Sequence, residues 1–223
     1  MAINQSPVFV FQRFLNQGWR PRYRGALTTV VSLAEVGAGA GTYVETLEDY
    51  AYLDPDAICL YDGYAPVNGD AVGGGRRASS VFRRTGYLPA LAGPGALRLP
   101  AAVPIAPELR DDAAGDVSCA GVSAAYCAAM VNAVDWSLAH GKHVVVVVPP
   151  YVSRRHELQQ ASLAAVLKQR FGGDKRFTYD NEGSSIDLRN RERSFDGVHL
   201  TAGGIEAIAG NLVDVLLAAT ERP

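Results

Sequence analysis

The amino-acid sequence predicts an α/β protein, a three-layer fold in which helices cover both faces of a parallel sheet. Apolar strand-like runs alternate along the chain with helix-like segments, which is the order of βαβ units. The clearest run, residues 143–148, ends in five valines without polar alternation, as expected for a strand covered on both faces. Because ligands bind at the carboxyl ends of such strands, we expect loops 35–41, 62–70 and 149–153 and segment 195–201 to gather at one edge.

Composition indicates a single globular domain over residues 1–223. The chain has 223 residues, of which 48% are hydrophobic and 20% charged, enough to build one core. A net charge of -2 gives no reason to expect nucleic acid or an anionic membrane as a partner. We find no 18-residue apolar run and no signal-peptide pattern, so we expect no membrane span. As it stands the chain fits the cytoplasm, but a signal peptide could precede it, so localisation is left open, as is the oligomeric state.

The three cysteines do not form a pattern typical of a disulfide framework. The chain has only Cys59, Cys119 and Cys127, and none of them lies in a Cys-x-x-Cys pair. We expect them to be small core residues, Cys59 in a strand and the other two on a helix, in a reducing compartment.

Helices and strands are predicted in turn through the first half of the chain. Ser6 can cap a helix over 7–17, with Pro7 in its first turn. The predicted elements that follow are a buried strand over 25–33, a glycine loop over 35–41, a helix over 43–53 capped by Thr42, and a strand over 57–61.

The second half begins with a Pro/Gly-rich insertion at about 65–117, predicted to be mostly loop. The elements predicted after it are helix 118–140, strand 143–148, helix 155–171, strand 176–179 and a final helix to residue 219. Residues expected to face the core are Leu158, Leu163, Val166, Leu167 and Phe171 on the first of the later helices, and Ile205, Ile208, Ala209, Leu212 and Leu216 on the last.

The segment with the strongest chemical character lies just before the last helix, where Asp196 precedes His199 by three residues. A catalytic histidine needs one ring nitrogen free to face a hydroxyl and the other held by a carboxylate. Gly197 permits a turn tight enough for that pairing. The simpler interpretation is a capping acid beside a surface histidine.

A metal site is a weaker interpretation of the same two residues. The other histidines, His140, His143 and His156, are scattered and supply no third ligand at a matching spacing. We therefore expect neither a metal nor another cofactor.

With these motifs in order, the chain resembles the SGNH, or GDSL-type, family of ester hydrolases from about residue 6 to residue 219. Asp-Gly-Val-His-Leu-Thr at 196–201 is similar to the family's last block, and the loop at 37–41 is similar to its second block. The resemblance implies a flavodoxin-like sheet and Ser-His-Asp chemistry on small-molecule carboxylic esters, such as acyl esters of a carbohydrate or lipid. His199 would be the base, Asp196 its orienting acid, and Gly39 an oxyanion donor.

The third block of the family is only partly present. Residues 55–64 resemble the strand that leads to it, which implies a substrate-binding role for Gly63. Where the family continues with an asparagine that donates to the oxyanion, this chain has Ala65 and Pro66. Asn68 lies close behind, and we hypothesise that it takes that role.

The first block, Gly-Asp-Ser, which carries the family's nucleophile, does not occur in this sequence. The resemblance would place that serine upstream of Met1, at the end of a central strand. The candidates within the chain have simpler interpretations: Ser6 as a cap, Ser32 in a strand, and Ser184 and Ser185 in a turn. We therefore expect residues 1–223 alone to be nearly inert and, without that strand, either poorly stable or naturally preceded by further sequence. The alternative is a non-catalytic relative that binds a ligand or partner in the same pocket or through residues 89–117.

Overall fold

A computed structural model describes residues 7–16, 28–33, 39–61, 84 and 116–220. Its sheet has three parallel strands in the order β1-β2-β3: β1 (Ala57–Tyr61), β2 (His143–Val148) and β3 (Phe177–Asn181). Leu60 is paired with Val146, which is paired in turn with Tyr179. The mixed α/β class and the parallel sheet predicted from the sequence are confirmed for this part of the chain.

Five α-helices surround the sheet in the described ranges. They are α1 (Pro7–Asn16), α2 (Tyr43–Asp49), α3 (Ala124–Ala139), α4 (Arg154–Phe171) and α5 (Ala202–Thr220). Short 3₁₀ turns at Ala40–Thr42 and Ala51–Leu53 flank α2. α3 and α4 lie in the crossovers that make neighbouring strands parallel.

Alternate residues of the strands build two separate cores, one on each face of the sheet. Val144 and Val146 point to the face covered by α3 and α4, where Met130 and Leu163 are also buried. Val145 and Val147 point to the opposite face and pack on α5. The uninterrupted valine run of β2 is therefore explained by burial on both faces, as expected from the sequence.

The direction of α5 places the last motif at the carboxyl edge of the sheet. Ala219, near the end of α5, lines a pocket together with Asp56 and His143, which stand where β1 and β2 begin. The start of α5, just after His199, must then lie toward the opposite edge, where the strands end. This is the edge at which the sequence predicted a site.

The strand predicted over 25–33 is wrong in its described part, because Thr28–Leu33 belongs to no strand. Its backbone is held by side chains of α1 instead. The Asn16 side-chain amide donates to the Thr28 carbonyl and accepts from the Thr28 amide, at 2.6 and 2.7 Å, and Gln12 accepts from Val30 at 2.9 Å. Among the described residues no neighbouring strand competes for these groups, and Val31 is 55% exposed rather than buried.

Smaller corrections concern helix ends and faces. Residues 118–123 form turns, so α3 begins at Ala124 rather than at 118. Leu158 on α4 is 47% exposed, and His156, Gln159 and Gln160 occupy buried positions on that helix. The Thr42 hydroxyl does not cap α2, because it donates backward to the Gly39 carbonyl.

Two of the cysteines form a disulfide, which the sequence did not predict. Cys119 lies in the turns before α3 and Cys127 in its first turns, and a bond joins them across a Cα–Cα distance of 5.6 Å. Cys59 on β1 is a free and exposed thiol, not a core residue. Because disulfides persist in oxidising compartments, the argument for a reducing compartment no longer holds.

One described helix, α5, is long and apolar enough to cross a membrane by length and composition. Its apolar residues have another explanation, because Ile208 and Leu212 are buried against the sheet and Ile205 and Ala209 pack with Val10 of α1.

Candidate functional site

The loop that carries Asp196 and His199 is a closed turn held by its own backbone and by one serine. The Phe195 amide donates to the His199 carbonyl at 3.2 Å, and Ser194 forms an isolated bridge with Leu200. The Ser194 hydroxyl donates to the His199 carbonyl and accepts from the Gly197 amide, each at 2.9 Å. Gly197 has a φ of +83°, a conformation that side-chain-bearing residues rarely adopt.

The same loop is fixed to the start of α5. The Thr201 hydroxyl donates to the Glu192 carbonyl and accepts from the Gly204 amide, so it satisfies a free N–H of the first helical turn. A Cβ at Gly204 would lie 2.1 Å from the Arg193 carbonyl oxygen, so only glycine allows this approach. The turn and the helix therefore hold the motif in one position.

The two side chains of the motif meet as the sequence predicted. His199 Nδ1 lies 2.5 Å from Asp196 Oδ2, while Asp196 Oδ1 accepts the backbone amides of Val198 and His199 at 2.9 and 2.6 Å. One carboxylate thus positions both the ring and the backbone of the histidine. The Asp196 side chain is only 20% exposed, whereas that of His199 is 62% exposed.

Electrostatics keep Asp196 ionised in this position. Partial burial by itself raises the carboxyl pKa, but the hydrogen bonds from the backbone and side chain of His199 and from the Val198 amide outweigh it, and the net pKa is lowered. An ionised carboxylate only accepts hydrogen bonds, so Nδ1 must carry the proton. In the neutral ring, Nε2 is then the acceptor, which is the arrangement a general base requires.

An open pocket of about 310 Å³ lies beside the pair. It is lined by Leu188, Arg189, Arg191, Ser194, Phe195, Asp196 and Gly197. The Phe195 ring is nearly parallel to that of His199, with centroids 5.6 Å apart, and the residue is 59% exposed. A second pocket, of about 280 Å³, lies where β1 and β2 begin, away from the pair, and its Lys142 and Asp54 form an ion pair with each other.

The other predicted site residues are not brought to the pair by the described structure. Gly39 is buried where the 3₁₀ turn before α2 begins, and no hydrogen bond in the described ranges joins it to Asp196 or His199. Gly63 and Asn68 lie outside the described residues. The Tyr151 amide donates to the Gly183 carbonyl at the ends of β2 and β3, but Gly183 lies outside the loops predicted to gather, so that gathering stays a prediction. The oxyanion roles of Gly39 and Asn68 and the substrate-binding role of Gly63 stay predictions.

Within the described ranges, no serine hydroxyl is hydrogen-bonded to the ring of His199. Ser184 and Ser185 lie in a turn, as predicted, and the Ser185 hydroxyl donates to the Glu182 carbonyl. Ser194 is the functional residue that sequence reasoning missed. Only its place two residues before Asp196 could have indicated its role, which is to hold the turn.

Two other titratable residues, His156 and Asp180, lie away from Asp196 and His199 and are part of the packing of the fold. His156 is fully buried on α4, with Tyr151 packed edge-on against it, and burial lowers its pKa to about 4, so it is neutral at pH 7. Asp180 on β3 has a raised pKa, because of burial and the neighbouring Glu182. In the described part of the chain, no three His, Cys, Asp or Glu residues come close enough to hold a metal ion.

Comparisons with protein-family models, with curated proteins and with solved structures give no significant match. The functional interpretation therefore depends on the geometry of the loop and on the resemblance of its motif.

Proposed function

We propose that Asp196 and His199 are the acid and base of an SGNH-type ester hydrolase site that acts on small-molecule carboxylic esters. The observation that carries the proposal is the contact of 2.5 Å between His199 Nδ1 and Asp196 Oδ2, which directs the other ring nitrogen away from the carboxylate. In the proposed reaction His199 takes the proton of a serine hydroxyl as it attacks the ester carbonyl. The histidine then returns that proton to the leaving alcohol, and water, deprotonated by the same histidine, attacks the acyl-enzyme ester to release the acid and restore the serine.

The position of the pair supports the proposal. The loop stands toward the carboxyl edge of a parallel sheet, where α/β proteins build their sites, and the open pocket adjoins it. A flavodoxin-like strand order, as the resemblance implies, is part of the proposal; the three described strands are compatible with one section of such a sheet.

The nucleophile is assigned to none of the described residues. Loss of the serine from a hydrolase triad reduces turnover by roughly a millionfold, so the proposal includes near-inert behaviour of residues 1–223 alone. A second candidate function is favoured by another observation, that no serine contacts the ring of His199 in the described ranges. It is a non-catalytic protein that uses the pocket to bind a ligand.

The two functions are distinguished with a short-chain aryl acetate. Residues 1–223 should hydrolyse it no faster than the His199→Ala variant. If the gene encodes a Gly-Asp-Ser segment in frame before Met1, protein that includes this segment should hydrolyse the ester, and His199→Ala should remove that activity. Equal rates for this longer protein and its His199→Ala variant would reject the hydrolase and favour the binding protein.

A further inference from the structure

The pocket beside the pair combines an exposed aromatic ring with guanidinium groups. Phe195 contributes its ring, which is stacked on His199 yet 59% exposed, and Arg189 and Arg191 contribute the cationic lining. Asp196 lines the same pocket, so whatever occupies the pocket lies next to the acid of the proposed acid–base pair.

The charged groups of the pocket differ in how they are engaged. Arg189 is held by Asp187 through two hydrogen bonds, Nε to Oδ1 at 2.9 Å and Nη2 to Oδ2 at 3.0 Å. Asp196 accepts from the His199 ring and from two backbone amides. No described residue forms a hydrogen bond or ion pair with the Arg191 guanidinium, and Arg191 is an exposed lining residue of the pocket.

We propose that this pocket is the subsite for a planar, anionic part of the substrate, so that the substrates are esters that carry an aromatic carboxylate. A guanidinium presents parallel N–H donors that match the two oxygens of a carboxylate. The exposed ring of Phe195 offers an apolar surface on which a planar group can stack. This proposal adds a substrate class to the proposed function. It rests on that function in calling the ligand of the pocket a substrate.

The subsite is tested by binding, which needs no nucleophile. The probes are 4-acetamidobenzoate and its neutral analogue 4-acetamidobenzamide, titrated into residues 1–223 and followed by amide NMR shifts. The carboxylate should bind roughly ten-fold more tightly than the amide, because it adds a charge-assisted hydrogen-bonded pair with Arg191. Arg191→Gln should abolish this preference, and Phe195→Leu should weaken the binding of both compounds to a similar degree.

The control variant is Lys175→Gln. Lys175 is an exposed cation just before the start of β3, at the edge of the sheet opposite the pocket, so its removal changes net charge equally and should keep the preference. Amide spectra of Arg191→Gln that match the parent away from the pocket show that the fold is retained. Equal affinities of the two probes in the parent, or a preference that survives Arg191→Gln, would overturn the proposal.

The outcome is independent of the ester assay. A carboxylate preference in residues 1–223, together with no His199-dependent hydrolysis by the longer protein, would keep the subsite and reject the hydrolase. Hydrolysis that depends on His199 without any carboxylate preference would reject the subsite alone.

Discussion

Replacing Asp196 by Asn removes the charge on which the loop depends while keeping its shape. In the parent, this carboxylate accepts three hydrogen bonds, from Val198 N, His199 N and His199 Nδ1, at 2.9, 2.6 and 2.5 Å. The amide oxygen of Asn can still accept the two backbone hydrogen bonds. Its NH₂ group, however, would face His199 Nδ1, which carries a proton in the parent, so two donors would meet. The variant therefore weakens two bonds and disrupts the third.

The size of the effect follows from charge and exposure. Hydrogen bonds to charged groups contribute roughly 1.5–3 kcal/mol when they are buried. The side chain of His199 is 62% exposed, so its hydrogen bond to Asp196 contributes well below that range to the free energy of unfolding. We expect Asp196→Asn to lower the free energy of unfolding by about 1–2 kcal/mol at pH 7.

The predicted loss of stability depends on pH, because it requires that Asp196 be ionised in the parent. The pKa of Asp196 is lowered in the folded protein from its ordinary value of 3.8. Its contribution is therefore complete above that value and is lost as the pH falls through the folded pKa. Denaturant unfolding of parent and variant should differ at pH 7 and converge in acid.

Asp187→Asn is the matched control in the same segment, because among the described residues that carboxylate pairs only with the exposed Arg189, and its removal should have a much smaller effect at pH 7. A difference between parent and Asp196→Asn that is absent at pH 7, or unchanged in acid, would refute the reasoning.

Three further predictions concern other parts of the described chain. Gly197→Ala should destabilise the fold by about 1–2 kcal/mol in denaturant unfolding, because φ is +83° there while nothing blocks the Cβ; an unchanged midpoint would contradict this. Unfolding without reductant should leave one alkylatable thiol, Cys59, and reduction should raise the number to three by mass spectrometry; three thiols before reduction would contradict the disulfide. The pKa of Asp180 is raised by burial and by Glu182, so the stability that its protonated form contributes is lost as the pH rises through the folded pKa. Asp180→Asn should therefore raise the free energy of unfolding, relative to the parent, more at pH 8 than at pH 4. An equal effect at both pH values would count against this prediction.

The parts of the fold that the sequence predicted well are those with strong local patterns. The valine run of β2 predicts burial on both faces of a strand, and the apolar stripe of α5 predicts one buried helix face; both are confirmed. The pairing of Asp196 with His199 was also predicted, because a three-residue spacing with a glycine between them leaves few other arrangements.

Other features depend on how the chain folds back on itself, which no local pattern records. Residues 25–33 have the composition of a strand, yet the described part is held by the side chains of Gln12 and Asn16 and joins no sheet. The Cys119–Cys127 bond depends on how the turns before α3 fold back, and their spacing alone gave no sign of it. Ser194 was missed for the same reason, since its hydroxyl acts only once the turn has closed.

¹⁵N NMR of the imidazole ring of His199 measures whether Asp196 makes this histidine a base with its outer nitrogen unprotonated. At a pH where the ring is neutral, we expect a proton on Nδ1 and an unprotonated Nε2, with this tautomer lost in Asp196→Asn. A neutral ring protonated on Nε2 in the parent, or the same tautomer in both proteins, would contradict it.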